Sequence, residues 1–302
     1  MREKFLIAML VIAAAMTELF PGASAQDATA KAQQLINQAR AALGGDKLKS
    51  LQSISVTGNY RRTFGQMEMS GEVNYDLLLP DKMLKTETMS PVPSVEITRI
   101  EALNGDDVWE DQQQHGGGGG MVVFRRGPGG PGTDPQKARA TLQQGVRSDF
   151  ARLLIGWLLT TPSSFPVEYS SAGEAESPDG KADVLDVKGA GGFAIRLFLD
   201  QKTHRPLMLT YNGKKPRLIT QTATGGHRNQ EEMEKRAKEV EAEMSKQPDV
   251  EYRIHLSDYR EVNGVSFPHK LTRSIENEVN EELEIKNVTI NPQLKPEKFV
   301  KK

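Results

Sequence analysis

The sequence predicts a mainly β protein of the α+β class, in which a large curved antiparallel sheet, an incomplete β-barrel, wraps around an apolar helix. About a dozen segments alternate apolar and polar residues with a period of two. The connections between them are too short for parallel crossovers, which favours an antiparallel sheet. One central stretch has helical spacing and is apolar on nearly every side, so we expect the sheet to enclose it.

Composition excludes several classes of site. The chain has 302 residues, with 39 Lys and Arg against 40 Asp and Glu, and its formal net charge of −1 provides no overall field for binding nucleic acid. It has no cysteine, which excludes disulfides, thiolate-bound metals, a cysteine nucleophile and a lipid-modified N-terminal cysteine. No nucleic-acid partner is therefore expected.

The first 25 residues have the pattern of a secretory signal peptide. Arg2 and Lys4 precede an apolar run over residues 5–16, and Ala23-Ser24-Ala25 has the small-x-small form of a cleavage site. The run is about 12 residues long, whereas a helix needs roughly 20 to span a bilayer, so a retained membrane anchor is the weaker interpretation. We expect cleavage before Gln26, a periplasmic location, and a single domain over residues 26–302.

The N-terminal half of this domain begins with a predicted helix over Asp27–Leu43, whose apolar residues lie about one turn apart and which Gly44-Gly45 ends. A period of two then predicts five strands: Ser53–Phe64, Gln66–Leu79, Lys82–Thr88, Ser94–Asn104 and Asp107–Gln112. Asn104-Gly105 is the dipeptide that a two-residue type I′ hairpin turn prefers, because both turn residues need a positive φ.

Residues 115–132 contain nine glycines and two prolines in eighteen positions. Such a segment cannot offset its ordering entropy by burial, so it predicts a mobile loop, with a brief strand over residues 121–124. A phosphate-binding loop is the alternative, but no Gly-Lys-Ser/Thr follows.

Asp134–Thr160 is predicted to be the enclosed helix. Pro135 suits the first helical position, and Pro162 ends the segment. From Leu153 to Leu159 the helix is apolar on nearly all sides, which a helix tolerates only when protein or an apolar ligand surrounds it.

The C-terminal half returns to a period of two. Its predicted strands are Ala182–Lys188, Phe193–Asp200, Leu207–Tyr211, Arg217–Thr222, Glu251–Tyr259, Val265–Arg273 and Glu282–Ile290. Asn263-Gly264 predicts a second tight hairpin. Residues 228–246 predict a highly charged surface helix, either a solvated insertion or a helix that docks a partner.

Catalytic and metal-binding motifs are not found. The chain has no Gly-x-Ser-x-Gly, no His-Glu-x-x-His, no calcium loop and no dinucleotide fingerprint. His255 and His269 lie on the two arms of the second hairpin, as a metal pair or as ordinary strand histidines. Tyr60 and Trp109 suit either packing or stacking on a sugar. We therefore predict no catalytic residue, no metal, no cofactor and no enzymatic activity.

Several segments carry a family resemblance. They are Ala42–Gly45, Leu51–Gly58, Tyr259–His269, Glu284–Pro292 and Phe299. With the signal sequence they resemble exported bacterial proteins of the outer-membrane lipoprotein-sorting superfamily (LolA/LolB-like, LppX-like). The resemblance implies an incomplete antiparallel barrel wrapped round helices that cover a hydrophobic cavity for acyl chains. LolB-type receptors are anchored through a lipidated cysteine, which this chain lacks, so the soluble carriers are the closer comparison.

The leading functional hypothesis is a periplasmic binding or carrier protein that buries an acyl chain of a lipid or lipoprotein without covalent chemistry. Burial contributes roughly 0.8 kcal/mol per methylene. The predicted ligand-binding residues, acting as a moving apolar lid, are Phe150, Leu153, Leu154, Trp157 and Leu158. The opposing interpretation is that this helix completes the core and leaves no cavity.

Two other functions stay open. One is a sensor or regulatory module on the same fold, similar to RseB-like periplasmic stress regulators, which would dock an envelope membrane protein through residues 228–246 and the glycine-rich loop. The other is a hydrolase of envelope polymers, for which His255 and His269 are the only candidate residues.

Overall fold

A computed structural model describes residues 25–64, 67–92, 94–116, 135–178, 180–215, 242 and 246–301 of the chain. Its helices are α1 (Ala25–Ala42), α2 (Asp46–Lys49) and α3 (Pro135–Leu158), with 3-10 turns at Ala190–Gly192 and Pro296–Phe299. The strands of the N-terminal half are β1 (Ser53–Phe64), β2 (Met67–Leu78), β3 (Lys82–Val92), β4 (Val95–Asn104) and β5 (Asp107–Gly116). Those of the C-terminal half are β6 (Val167–Ser177), β7 (Gly180–Gly189), β8 (Ala194–Asp200), β9 (Pro206–Lys214), β10 (Asp249–Val262), β11 (Val265–Ile275) and β12 (Glu278–Ile290).

These twelve strands form one antiparallel sheet in the order β5-β4-β3-β2-β1-β12-β11-β10-β9-β8-β7-β6. Neighbours in the sheet are consecutive in the sequence except at β1–β12, where the first and last strands pair in the middle of the sheet. The edges β5 and β6 do not pair with each other, so the sheet stays open, and α3 lies between them in the sequence. The predicted fold class, an incomplete antiparallel barrel around an apolar helix, is confirmed.

The main core lies between one face of this sheet and the two long helices. The period of two is visible in β8, where Ile195, Leu197 and Leu199 are buried and Ala194 and Arg196 are exposed. Helix α1 lies against β6 with a buried stripe at the predicted spacing, Ala32, Leu35, Ile36 and Ala39, which Leu43 continues just beyond the helix end.

The predicted elements agree with the structure to within a few residues at most places, and two differences have clear causes. The sequence does not predict strand β6, because its residues are polar and show little apolar alternation. It is an edge strand of the sheet, and α1 packs against it. Strand β5 extends through His115 and Gly116, where the glycine-rich loop was expected to begin, because backbone pairing with Val95 and Glu96 continues that far.

Some predictions fall on residues outside the described part of the chain. They are the signal segment up to residue 24, the rest of the glycine-rich loop, the strand over 217–222, and the charged helix over 228–246 apart from Ala242 and Lys246, which are helical.

The hairpin turns correct one prediction and confirm another. Asn263 and Gly264 have φ values of 51° and 81° between the paired residues Val262 and Val265, as a type I′ turn requires. The earlier turn consists instead of Gly105-Asp106, because Asn104 pairs with Asp107. There only the first turn residue has a positive φ, the pattern of a type II′ turn.

A satellite cluster lies apart from the main core, where the C-terminal tail packs on β3, β4 and β5. Phe299 is fully buried there against Leu84 and Ala102. The indole Nε1 of Trp109 donates a hydrogen bond to the carbonyl oxygen of Phe299 at 2.9 Å. Trp109 is therefore a packing residue that fastens the tail to the sheet.

Candidate functional site

A cavity of about 130 Å³ lies between α3 and the inward face of the sheet. Small-molecule sites usually measure about 300–1,000 Å³, yet an apolar cavity of about 150 Å³ is enough to bind benzene. In this conformation the cavity therefore accommodates the end of a slender apolar ligand rather than a whole lipid.

One part of the cavity wall is apolar and comes from α3 and six strands. Gly156 brings the helix close to β9, because a Cβ atom there would lie 2.9 Å from Cδ1 of Leu209. The apolar side chains of the wall are Met83, Val146, Leu153, Trp157, Leu209, Ile254, Leu256, Leu271 and Leu283, and the rings of Tyr75 and Tyr211 adjoin them.

The structure places the five predicted ligand-binding residues in two groups. Leu153 and Trp157 line the cavity. Phe150, Leu154 and Leu158 are buried in the core that surrounds α3 and do not line it. The helix thus contributes to the core and to the cavity at once.

Trp157 is held by aromatic contacts at the cavity wall. Its ring lies edge-on to Tyr75 with centroids 5.4 Å apart, and it packs against Phe267 at 4.9 Å. The side chain is fully buried, and its Nε1–H has no acceptor among the described residues.

The other part of the wall is charged. Its members are Arg62, Lys85, Glu101, Asp149, Arg152, Arg273 and Glu281. Residues of both signs alternate there, and ion pairs connect them, so the cavity is amphipathic.

A continuous ion-pair network runs across β11, β12, β1, β3, β4 and β5. Glu281 contacts Arg273 at 2.5 Å and Arg62 at 2.9 Å, and Arg62 reaches Glu87 at 3.0 Å. Lys85 continues the network from Glu87 to Glu101 at 2.7 and 3.5 Å. Arg99 ends it, between Glu101 at 2.8 Å and Glu110 at 3.3 Å.

Sheet register places these partners side by side. Lys85 lies opposite Glu101, and Glu87 lies opposite Arg99, across β3 and β4. Nearer the middle of the sheet, Glu281 of β12 lies opposite both Arg62 of β1 and Arg273 of β11. The network is therefore a ladder of cross-strand pairs on the inward face.

Buried carboxylates in this network stay charged. Burial alone would raise the pKa of Glu281, but the charges of Arg273 and Arg62 outweigh it and lower that pKa to about 2. Lys85 and Arg62 likewise outweigh the burial of Glu87 and hold its pKa well below the usual range. Burial raises the pKa of Tyr75 to about 12, so its hydroxyl stays neutral.

Arg152 connects α3 to strand β9 at the charged part of the cavity wall. Its guanidinium carbon lies 3.9 Å from the centroid of the Tyr211 ring, and its Nη1 donates a hydrogen bond to Asp149 at 2.8 Å. Its Nε–H is buried and has no acceptor in the part of the chain that the structure describes.

The remaining candidates from the sequence lie apart from the cavity. His269 is buried, with its Nδ1 3.0 Å from the carbonyl oxygen of Phe267, whereas His255 is exposed and pairs with Thr272 in the sheet. Tyr60 is buried beside Gly71. Across the described ranges no cluster of three or more His, Cys, Asp or Glu side chains is arranged to hold a metal ion.

Sequence reasoning missed the charged part of the wall. A usable signal existed, because Lys85 and Glu87, like Arg99 and Glu101, occupy alternate positions of one strand face among inward-facing apolar residues. The pairing partners depend on the register, which the sequence does not reveal.

Solved structures with a similar fold include a DUF1329 family protein from Desulfovibrio piger, at TM-score 0.47 and 10% identity over 89% of this chain and 97% of that chain. A LolA superfamily protein from Nitrosomonas europaea matches at TM-score 0.42 and 12% identity over 89% and 97% of the two chains. An outer membrane lipoprotein-sorting protein domain from Vibrio parahaemolyticus matches at TM-score 0.47 and 10% identity over 90% and 97%. At identities of 10–12% the likeness concerns the fold alone.

No protein-family model matches the sequence, and no curated protein matches it. None of the described helices is both long enough and apolar enough to cross a bilayer.

Proposed function

We propose that this protein is an exported carrier that buries the acyl chain of a lipid or lipoprotein, without covalent chemistry, in the cavity between α3 and the sheet. The observation that supports the proposal is a cavity with an apolar part of its wall beside a helix whose surroundings are otherwise filled. Each methylene that leaves water contributes roughly 0.8 kcal/mol, so even a partly buried chain gains several kcal/mol.

The cavity has to enlarge to admit more than the end of a chain. Phe150, Leu154, Trp157 and Leu158 are at most 2% exposed. Releasing all four would cost about 6–12 kcal/mol at about 1.5–3 kcal/mol each, which is comparable to the whole stability of a typical domain. Leu153 is only half-buried. We therefore propose that the cavity widens around Leu153 while the rest of α3 stays packed, rather than by a swing of the whole helix.

Fluorescence titration of the methyl ester of a dansylated fatty acid against a matched pair of variants tests the proposal. Leu153→Phe fills the cavity, and we expect it to weaken binding at least tenfold. Leu207→Phe makes the same change at a side chain that is 38% exposed and does not line the cavity, so it should leave binding unchanged. Equal binding by both variants, or no binding by the unmodified protein, would count against the carrier function.

Export is part of the same proposal and rests on the N-terminal sequence. We expect the protein to fractionate with the periplasm and its N-terminus to be Gln26. An envelope membrane protein as docking partner rests on residues 228–246, most of which lie outside the described part of the chain.

A further inference from the structure

Two hydrogen-bond donors at the cavity wall lack acceptors among the described residues. One is Nε1–H of Trp157, whose side chain is fully buried, and the other is Nε–H of Arg152. Both residues belong to the cavity lining. A buried donor without an acceptor is costly, and native proteins satisfy nearly all such groups, so an acceptor from outside the described residues is needed here, and a ligand in the cavity can supply it.

The charges around the cavity show which kind of acceptor fits. The ion-pair network and the Arg152–Asp149 pair together contain five cations and five carboxylates, each in contact with a partner of opposite charge. A ligand carboxylate would add an excess negative charge to a wall whose cations and carboxylates already balance, and burying an excess charge is expensive. An uncharged acceptor avoids that cost.

We propose that the cavity selects acyl esters over free fatty acids and over hydrocarbons, with the indole N–H of Trp157 donating a hydrogen bond to the ester carbonyl oxygen. The acyl tail then lies against the apolar part of the wall that Leu153 and Leu283 help to form. This inference rests on the proposed function, and it adds the chemical class of the ligand's head.

Proton–nitrogen correlation NMR of the purified protein tests the contact directly, since the chain has two tryptophans. Nε1–H of Trp109 already donates to the carbonyl of Phe299 and serves as an internal reference. Methyl laurate should move the Trp157 indole proton downfield and leave the Trp109 proton unchanged. Dodecane should occupy the cavity without that downfield shift.

Competition against bound Nile red measures the selectivity. We expect methyl laurate to bind about tenfold tighter than dodecane and at least tenfold tighter than laurate at neutral pH. Trp157→Phe keeps an aromatic ring and removes the donor, so it should abolish the preference for the ester over dodecane. If this variant does not fold, the NMR measurement on the unmodified protein still tests the hydrogen bond from Trp157.

Acyl esters occur in glycerolipids and in the diacylglyceryl group of lipoproteins, and monolaurin and a diacylated lipopeptide represent these two sources. A downfield shift of the Trp157 proton with either compound supports the proposal. Equal affinity for methyl laurate and dodecane, or the same Trp157 shift with both, overturns the ester selectivity and leaves the carrier function in place. Failure of all these compounds to displace Nile red overturns the carrier function itself.

Discussion

The guanidinium of Arg40 donates two hydrogen bonds to the carbonyl oxygen of Leu159, at 3.1 Å from Nε and 2.7 Å from Nη2. Leu159 directly follows α3 and has a left-handed φ of 52°, at a helix end whose last carbonyls need partners. The contact ties the C-terminal end of α3 to α1 and so fixes the helix that covers the cavity.

Replacing Arg40 tests this tie. Arg40→Ala leaves the half-buried carbonyl of Leu159 without its donor, and we expect the free energy of unfolding to fall by about 1–3 kcal/mol in urea denaturation. Arg139→Ala is the control, because among the described residues the one ion pair of Arg139 is an exposed 3.8 Å contact with Asp107, and its loss should cost less than about 0.5 kcal/mol. Similar losses in the two variants would show that the contact does not anchor the helix.

Two adjacent arginines of β1 allow the contribution of a buried ion pair to stability to be compared with that of an exposed one. Arg62 is 11% exposed and contacts Glu87 and Glu281, whereas Arg61 is 57% exposed and forms an ion pair, within the described part of the chain, with Glu282 alone. Arg62→Ala leaves Glu87 with Lys85 alone and Glu281 with Arg273 alone, so the buried network then holds more carboxylates than cations. We expect this variant to cost about 3–5 kcal/mol of unfolding free energy. Arg61→Ala should cost no more than about 1 kcal/mol by the same measurement. A small loss for Arg62→Ala would mean that water reaches the network and screens it.

Acid should destabilise the protein through this network. The pKa of Glu281 lies at about 2 in the folded protein against an ordinary value of 4.5, so its contribution is present above pH 4.5 and is lost as the pH falls towards 2. The loss is about 3 kcal/mol for this one group. Denaturation measured from pH 5 to pH 2 should therefore give a shallower acid limb for Glu281→Gln than for the unmodified protein.

Glu284→Gln is the control for that experiment, because Glu284 lies on the same strand but is fully exposed beside Lys286. The hydrogen bond to Lys286 lowers the pKa of Glu284, but solvent screens this exposed pair, so the acid limb should stay close to that of the unmodified protein. The network explanation fails if the two glutamine variants have equal slopes.

The C-terminal tail provides a test of the satellite cluster. Phe299 is fully buried on β3, β4 and β5, and Phe299→Ala should cost about 3–5 kcal/mol of unfolding free energy. Val300→Ala, next in the chain but 51% exposed, should change it by less than about 0.5 kcal/mol. If both variants are neutral, the tail does not pack on the sheet in solution.

Most of the fold follows from local patterns in the sequence. Strand β1 and helix α3 match their predictions closely, because alternation and helical spacing persist over their whole lengths. The polar edge strand β6 carries no such pattern. The turn between β11 and β12 was also hidden, since Glu276 and Asn277 both have positive φ although glutamate rarely does.

The candidate site was predictable only in part. The apolar stretch of α3 indicated Leu153 and Trp157, which line the cavity, but it equally indicated apolar residues of α3 that belong to the core. Whether such a residue lines the cavity or fills the core depends on tertiary packing, which the helical periodicity of the sequence does not reveal. The charged wall depends on cross-strand register between segments as distant as Arg62 and Glu281, which local patterns do not encode.

The carrier function is tested most directly by a crystal structure of the protein with a fatty acid methyl ester that carries bromine at the end of its chain. We predict an anomalous bromine peak inside the cavity, among Leu153, Leu209 and Leu283. A bromine peak only on the outer surface, or none at saturating ligand, would contradict the proposal that this cavity holds an acyl chain.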